Sequence, residues 1–171
     1  LCNDAVLEYK DGVFGRTGEP TEAALKVLVE KLGILEITKA SDPMRLIRQC
    51  NDHWGSNYDK LATLEFNRER KSMSTLCRSK QNKAQNCLFV KGAAELLIDR
   101  CSKLELENGM IVDIDDRLRF KLRDVIAEVA GKPLRCLAMA KKIGGKLGRE
   151  LNELRDRDAA NLCSALQDPA R

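Results

Sequence analysis

Thr63-Leu64-Glu65-Phe66-Asn67-Arg68-Glu69-Arg70-Lys71-Ser72-Met73-Ser74-Thr75-Leu76-Cys77 is where the period of the chain changes from helical to alternating. Leu64 and Phe66 alternate with Thr63 and Glu65, run into the polar Asn67-Arg68-Glu69-Arg70, and give way to a second alternating set, Met73, Thr75 and Cys77. Alternation marks a half-buried strand, and a polar cluster marks the reversal between strands. Two antiparallel partner strands are therefore expected here, and the fold class follows from what surrounds them.

Upstream, residues 5 to 17 alternate loosely around Lys10-Asp11-Gly12, a hairpin signal. Pro20 near a first helical turn, Leu25, Leu28, Val29 and Leu32 at helical spacing, and Gly33 just past the end predict a helix. A second helix is predicted from an N-cap at Ser41 or Asp42, with Pro43 in its first turn and Ile47, Cys50 and Trp54 on one stripe before Gly55. Downstream, Cys87 to Lys91 reads as a short buried strand, and Gly92-Ala93-Ala94-Glu95 opens a helix to about Cys101. Residues 103 to 114 form a hairpin turning at Asn108-Gly109, and a helix capped at both ends runs from Asp115 or Asp116 to Gly131. Pro133 leads into a last apolar strand through Ala140, and the glycine-containing, charged segment from Lys141 onward reads as a peripheral loop and helix. Strands joined by hairpins and separated by helices predict an α+β fold, an antiparallel sheet covered by helices, in one domain over residues 1–171.

Composition narrows the function. The 171 residues carry 30 Lys and Arg against 26 Asp and Glu, a net charge of +4, with 43% hydrophobic and 33% charged residues. Such a chain buries a real core beneath a charged surface, unlike a disordered tail. Its apolar stretches are far shorter than the roughly 18 residues of a membrane span. A charge of +4 from interspersed signs argues against nucleic acid as partner. The chain begins Leu1-Cys2-Asn3-Asp4, with neither Met nor a leader pattern, and is read as a piece of a longer protein. Seven cysteines at 2, 50, 77, 87, 101, 136 and 163 are odd in number, irregular in spacing and mostly within apolar stretches. They read as free thiols in a reducing compartment, with no metal site expected.

Glycine loops that cradle phosphates are absent, and the single histidine, His53, lies beside Trp54 on the apolar side of a predicted helix, so base catalysis by histidine is set aside. Cations at the ends of apolar strands are more informative: Arg68 and Lys71 after Phe66, Lys91 after Phe89, and Arg135 between Leu134 and Leu137. A cation embedded in such a strand is costly unless it meets an anion or a carboxylate. On a strand, Phe66 and Arg68 would share one face, placing an aromatic plate beside a guanidinium; this suits a purine with a phosphate tail, although spacing alone favours a core phenylalanine beside a surface arginine.

Five stretches, in this order, decide between those alternatives: Cys2-Asn3-Asp4, the segment from Gly18-Glu19-Pro20 to Leu25, the segment from Phe66 to Ser74, Phe89-Val90-Lys91-Gly92-Ala93-Ala94-Glu95, and Leu134-Arg135-Cys136-Leu137-Ala138. Together they resemble the nucleotide-binding domain of P-type ATPases, most of all the sarco/endoplasmic reticulum calcium pumps. The resemblance implies an ATP site in which Phe66 stacks on adenine, Arg68 and Arg135 contact the phosphates, Lys91 lies deep in the adenine pocket, Glu22 lies near the adenine amino group and Lys71 lies near the nucleotide. It further implies that Gly92, Ala93 and Leu137 belong to the nucleotide-binding set, the first two letting the backbone approach the ring. The implied ligands are ATP or ADP, with Mg2+ carried mainly by the phosphates. The implied partners are the phosphorylation and actuator domains of a parent pump on the cytosolic face of the endoplasmic reticulum membrane, the domain itself being monomeric. Ala94 stands where the family usually has Pro, and residues after about Ala140 match less well. No segment carries a phosphorylated aspartate, so no catalytic residue is expected in this chain. A non-catalytic interaction module of the same fold with negligible nucleotide affinity is the competing expectation.

Overall fold

The computed structural model describes residues 1–34, 39–81, 86–132 and 134–143. The expectations at Pro133, at Cys163 and over the segment from residue 144 onward concern residues outside the described ones.

The chain opens with a hairpin of β1 (Val6–Lys10) and β2 (Val13–Thr17). It turns at Asp11 and Gly12, both with positive φ (52° and 80°), a conformation that Gly and Asp tolerate. Helix α1 (Pro20–Leu32) follows with Pro at its start, and Gly33, at φ 73°, ends it with its N–H on the Val29 carbonyl. Both match the sequence expectation.

The second predicted helix is instead two. Asp42 caps α2 (Pro43–Leu46) by accepting the Arg45 N–H at 2.9 Å, as expected, but the helix stops after one turn and α3 runs over Gln49–Asn57, through Gly55. The Arg48 N–H has tightened onto the Arg45 carbonyl at 3.1 Å. Glu30, buried on α1, then accepts the Cys50 N–H at 3.3 Å and so serves α3 as a cap from another helix. The break also divides the predicted stripe: Ile47 and Cys50 are buried, whereas Trp54 is 39% exposed.

The centre is a four-stranded antiparallel sheet in the order β3 (Tyr58–Asn67), β4 (Ser72–Ser79), β5 (Asn86–Ala93), β8 (Leu137–Lys142). Leu64, Leu76 and Leu88 on adjacent strands form a buried cluster, joined by Leu61, Ala62 and Val90. Side chains opposite one another in an antiparallel pair share a face, so the register of β4 on β5 lines up Met73 with Lys91, Thr75 with Phe89 and Cys77 with Cys87. Between β5 and β8 come α4 (Ala94–Arg100), the hairpin of β6 (Lys103–Glu105) and β7 (Ile111–Asp113), and α5 (Asp116–Ala130). Asp115 caps α5 by accepting the Leu118 N–H at 2.7 Å, and Arg119 donates to the carbonyls of Ile98 and Cys101 at the end of α4. Sheet plus helices give the expected α+β class. No helix among the described residues is long and apolar enough to cross a membrane.

Cys2, Cys50, Cys77, Cys87, Cys101 and Cys136 are free thiols, the second to fourth of them buried. Burial pushes the Cys50 and Cys77 thiols up to about 11, with Glu30 adding to the effect at Cys50. Below the ordinary thiol value of 9.0 both groups are protonated, folded or unfolded, and contribute nothing to a pH dependence. Between 9 and 11 the unfolded chain releases protons that the folded chain keeps, so stability falls as pH rises. We expect the urea midpoint to drop across this window, and to drop less in the Cys50→Ala/Cys77→Ala double variant; equal slopes in the two proteins would contradict it.

Candidate functional site

At one end of the sheet, close pairing of β4 with β5 depends on a missing side chain. A Cβ on Gly92 would stand 2.5 Å from the Lys71 carbonyl oxygen and 2.9 Å from the Ser72 Cα. Only glycine permits that approach. The Ala93 N–H donates to the same Lys71 oxygen at 3.0 Å, which holds Lys71 at φ 46°, a left-handed conformation uncommon for lysine. Leu137 pairs with Ala93 across β5 and β8, so Gly92, Ala93 and Leu137 meet at this end.

Phe66, Arg68 and Lys71 are presented by the β3–β4 connection. Leu64 pairs with Ser74 and Asn67 with Ser72, so Glu65 and Phe66 together oppose Met73 in a bulge. The strand ends at Asn67, and Arg68 lies in the turn. The expected sharing of one strand face by Phe66 and Arg68 therefore does not hold, because the alternation stops at the bulge. What brings the two together is the turn itself: the Asn67 Oδ1 accepts the N–H groups of Glu69 at 2.7 Å and Arg70 at 3.2 Å. Phe66 is 60% exposed and offers its ring to solvent. Among the described residues, the Arg68 and Lys71 side chains make no hydrogen bond or ion pair, so the turn that follows the ring carries two free cations.

Lys91 and Glu22 form the buried floor. Lys91 on β5 faces Met73, which also lies opposite the bulge that carries Phe66, so the two residues come from the strands on either side of β4, whose backbones are about 10 Å apart by strand spacing. The Lys91 Nζ donates to the Glu22 Oε1 at 2.5 Å, with the two side chains 11% and 18% exposed. The carboxylate that a cation in this apolar strand needs thus comes from 69 residues away. Glu22 sits in the first turn of α1, and that turn gathers further contacts. Its Oε2 accepts the Asp4 N–H at 3.0 Å, its carbonyl accepts the Asn3 Nδ2 at 2.7 Å, and the neighbouring Thr21 Oγ1 accepts the Arg135 guanidinium at 2.6 Å. Lys26, one turn on, donates to the Ala5 carbonyl, and burial lowers its pKa.

All the residues singled out from the sequence, Glu22, Phe66, Arg68, Lys71, Lys91, Gly92, Ala93, Arg135 and Leu137, thus belong to one end of the sheet and the start of α1. Three contributors were missed: Thr21, Asn67 and Asn3. Asn67 carried a readable signal, an Asn at a strand end two and three residues before the amides it caps; Asn3 carried none beyond its place in a short motif. His53 behaves as a structural residue, edge-on to Trp54 with ring centroids 5.0 Å apart and its Nε2 3.1 Å from the Asn57 Nδ2. Among the described residues, no cluster of His, Cys, Asp or Glu is arranged to hold a metal.

Comparison with known proteins gives a family model described as P-type ATPase, cytoplasmic domain N, matching residues 1–167. The chain is 44% identical over 152 residues to calcium-transporting ATPase 2, endoplasmic reticulum-type, of Arabidopsis thaliana, covering 83% of this chain and 14% of that protein. It is 39% identical over 148 residues to an endoplasmic reticulum calcium ATPase of Aspergillus fumigatus, covering 82% of this chain and 15% of the relative. The chain thus spans about one seventh of the length of such relatives.

The glycine contact yields a direct test. In Gly92→Ala the new Cβ meets backbone atoms on both sides of the Lys71–Ser72 peptide, which cannot move aside as a side chain could. Overpacking of this kind costs roughly 1–3 kcal/mol. Chemical denaturation should report that loss, with backbone shifts concentrated in turn 68–71, whereas Gly131→Ala, whose Cβ would stand 3.4 Å or more from its neighbours, should stay within about 1 kcal/mol. Equal costs at the two positions would contradict the close-approach account.

Proposed function

This chain belongs to the family of P-type ATPase cytoplasmic domains N, and from that premise we propose that it binds ATP and presents the γ-phosphate to an aspartate carried by a separate phosphorylation domain of a calcium-transporting pump. The observation that carries the reading is the pairing of an open aromatic ring and two unpartnered cations with a desolvated Lys–Glu pair. A purine is flat and needs a plate, its exocyclic amino group needs an acceptor in a dry place, and its phosphates need cations that no carboxylate has already taken. Phe66 supplies the plate, Glu22 the acceptor, and Arg68, Lys71 and Arg135 the charge, while Gly92, Ala93 and Leu137 keep the wall beside the ring thin and apolar.

Adenine recognition is complete within this chain, whereas the chemistry is not. Transfer needs a nucleophilic aspartate and a divalent cation held in line with the γ-phosphate. Arg68 and Lys71, which follow Phe66 in the turn, are cations that suit phosphate oxygens, and no cluster of carboxylates among the described residues is arranged for Mg2+. Magnesium would arrive on the phosphates and find its protein ligands in the partner domain. The isolated chain is therefore a nucleotide-binding part with no hydrolytic activity of its own. It works as a single domain within a pump whose endoplasmic reticulum location is suggested by the relatives' names, with the phosphorylation and actuator domains as its partners.

Two measurements test this. Phe66→Ala should weaken ATP binding by about 5- to 150-fold in a folded protein, since one stacked base is worth roughly 1–3 kcal/mol. ADP should bind about as well as ATP, in the range of about 0.1 to several mM, because the partners of the γ-phosphate lie elsewhere. Unchanged ATP affinity in folded Phe66→Ala would remove the ring from the site. Absence of any adenine-dependent titration would favour the competing reading of an interaction module without nucleotide affinity.

A further inference from the structure

The motif Cys2-Asn3-Asp4 has no part in the function argued so far, although it touches the site at its most desolvated point. We propose that Asn3 is the positioning residue for Glu22 and, through it, the determinant of adenine over guanine. This inference rests on the reading of the Phe66–Lys91 region as an adenine site.

Both ends of the Asn3 amide are committed. Its Oδ1 accepts the Ala5 N–H at 3.0 Å and its Nδ2 donates to the Glu22 carbonyl at 2.7 Å. A donor at one end and an acceptor at the other leave one orientation of the amide that satisfies both. The turn made with Ala5 aims the NH2 group, and the NH2 group pins the main chain of the first turn of α1. Asp4 is the next residue, so the same geometry delivers its N–H to the Glu22 Oε2 at 3.0 Å, while Lys91 holds Oε1 at 2.5 Å. The asparagine thereby holds the Glu22 backbone directly and one carboxylate oxygen through the Asp4 N–H, while Lys91 holds the other. The Asp4 side chain is engaged elsewhere, with Lys60 at 3.1 Å.

An ionised carboxylate accepts about four hydrogen bonds, two at each oxygen. Lys91 and the Asp4 N–H occupy one on each side, which leaves an acceptor lone pair on either oxygen for an amino group. Adenine offers an exocyclic amino group at the position where guanine carries a carbonyl, and a carboxylate with only 18% exposure exchanges a lost contact for water poorly. A buried polar site matched to a donor rejects an acceptor at the same place far more strongly than an apolar pocket does. The discrimination survives only while the carboxylate keeps its direction, and Asn3 secures the part of that direction set by the Asp4 N–H and the Glu22 backbone.

The test is selectivity, because a merely structural asparagine would weaken all nucleotides alike. ADP and GDP are titrated into the 171-residue chain and into Asn3→Asp, which keeps the shape and the Oδ1 acceptor but sets an oxygen against the Glu22 carbonyl. We expect the parent to favour ADP, and Asn3→Asp to lose about 5- to 20-fold in ADP affinity with GDP changed less than about twofold. Asn3→Ser, which keeps a hydroxyl for the Ala5 N–H but lacks the reach to Glu22, should do the same and serves if Asn3→Asp loses its folded spectrum. In a Glu22→Gln background either substitution should leave the ADP/GDP ratio where Glu22→Gln has put it. A parent without ADP preference, or an ADP/GDP ratio unmoved in a folded Asn3 variant, overturns the inference. The underlying site reading fails separately, by loss of the Phe66→Ala effect on ADP.

Discussion

A lysine inside an apolar strand is the constraint on which this structure turns. Lys91 sits on β5, next to the centre of the sheet, where a lone ammonium would be costly, and only a carboxylate delivered from outside the sheet relieves that cost. Glu22 comes from the first turn of α1, so the pair ties the amino-terminal hairpin and helix to the sheet across 69 residues of sequence. Such a pair contributes little net stability compared with apolar replacements, but removal of one partner strands the other. Its value lies in the geometry it enforces: an oriented acid and base beside a thin, apolar wall.

The wall and the pair depend on each other. Gly92 follows Lys91, and the approach it allows brings the Lys71 carbonyl onto the Ala93 N–H and sets the left-handed turn that presents Lys71. A bulge at Glu65 and Phe66 then turns the ring outward, and Arg135 reaches back to Thr21 beside Glu22. The geometry of this end therefore rests on backbone contacts between three strands and one helix start, with the Arg68 and Lys71 cations left free in the turn. On the proposed reading, this division suits a domain that holds a base firmly and a phosphate tail loosely, so that the tail can meet a second domain.

Much of this was legible in the sequence, for local reasons. Asp11-Gly12 and Asn108-Gly109 fix their hairpins because few residues accept a positive φ, and Pro20, Asp42 and Asp115 mark helix starts through chemistry confined to a few residues. Lys91 announced its need for a carboxylate, though not which one. The failures are those of distance. The break between α2 and α3 is capped by Glu30 from another helix, which no window around Ile47 could contain. The face shared by Phe66 and Arg68 was read from a period of two that a bulge interrupts, and bulges come from pairing with a partner strand. Asn3 looks like any polar residue near a turn until its amide is seen between Ala5 and Glu22.

The central claim is that adenine recognition is built around the Glu22–Lys91 pair, independently of phosphates. Its most direct measurement is an amide-shift titration of the chain with adenosine, which has no phosphate to attract the rim cations. The account predicts saturable shifts confined to Asp4, Glu22, residues 66–72 and residues 91–93, with the β6–β7 hairpin and α5 unmoved. Shifts centred instead on the cavity between the end of α1 and the start of α3, lined by Glu30, Gly33 and Cys50, or shifts that appear only with ADP and ATP, would contradict it.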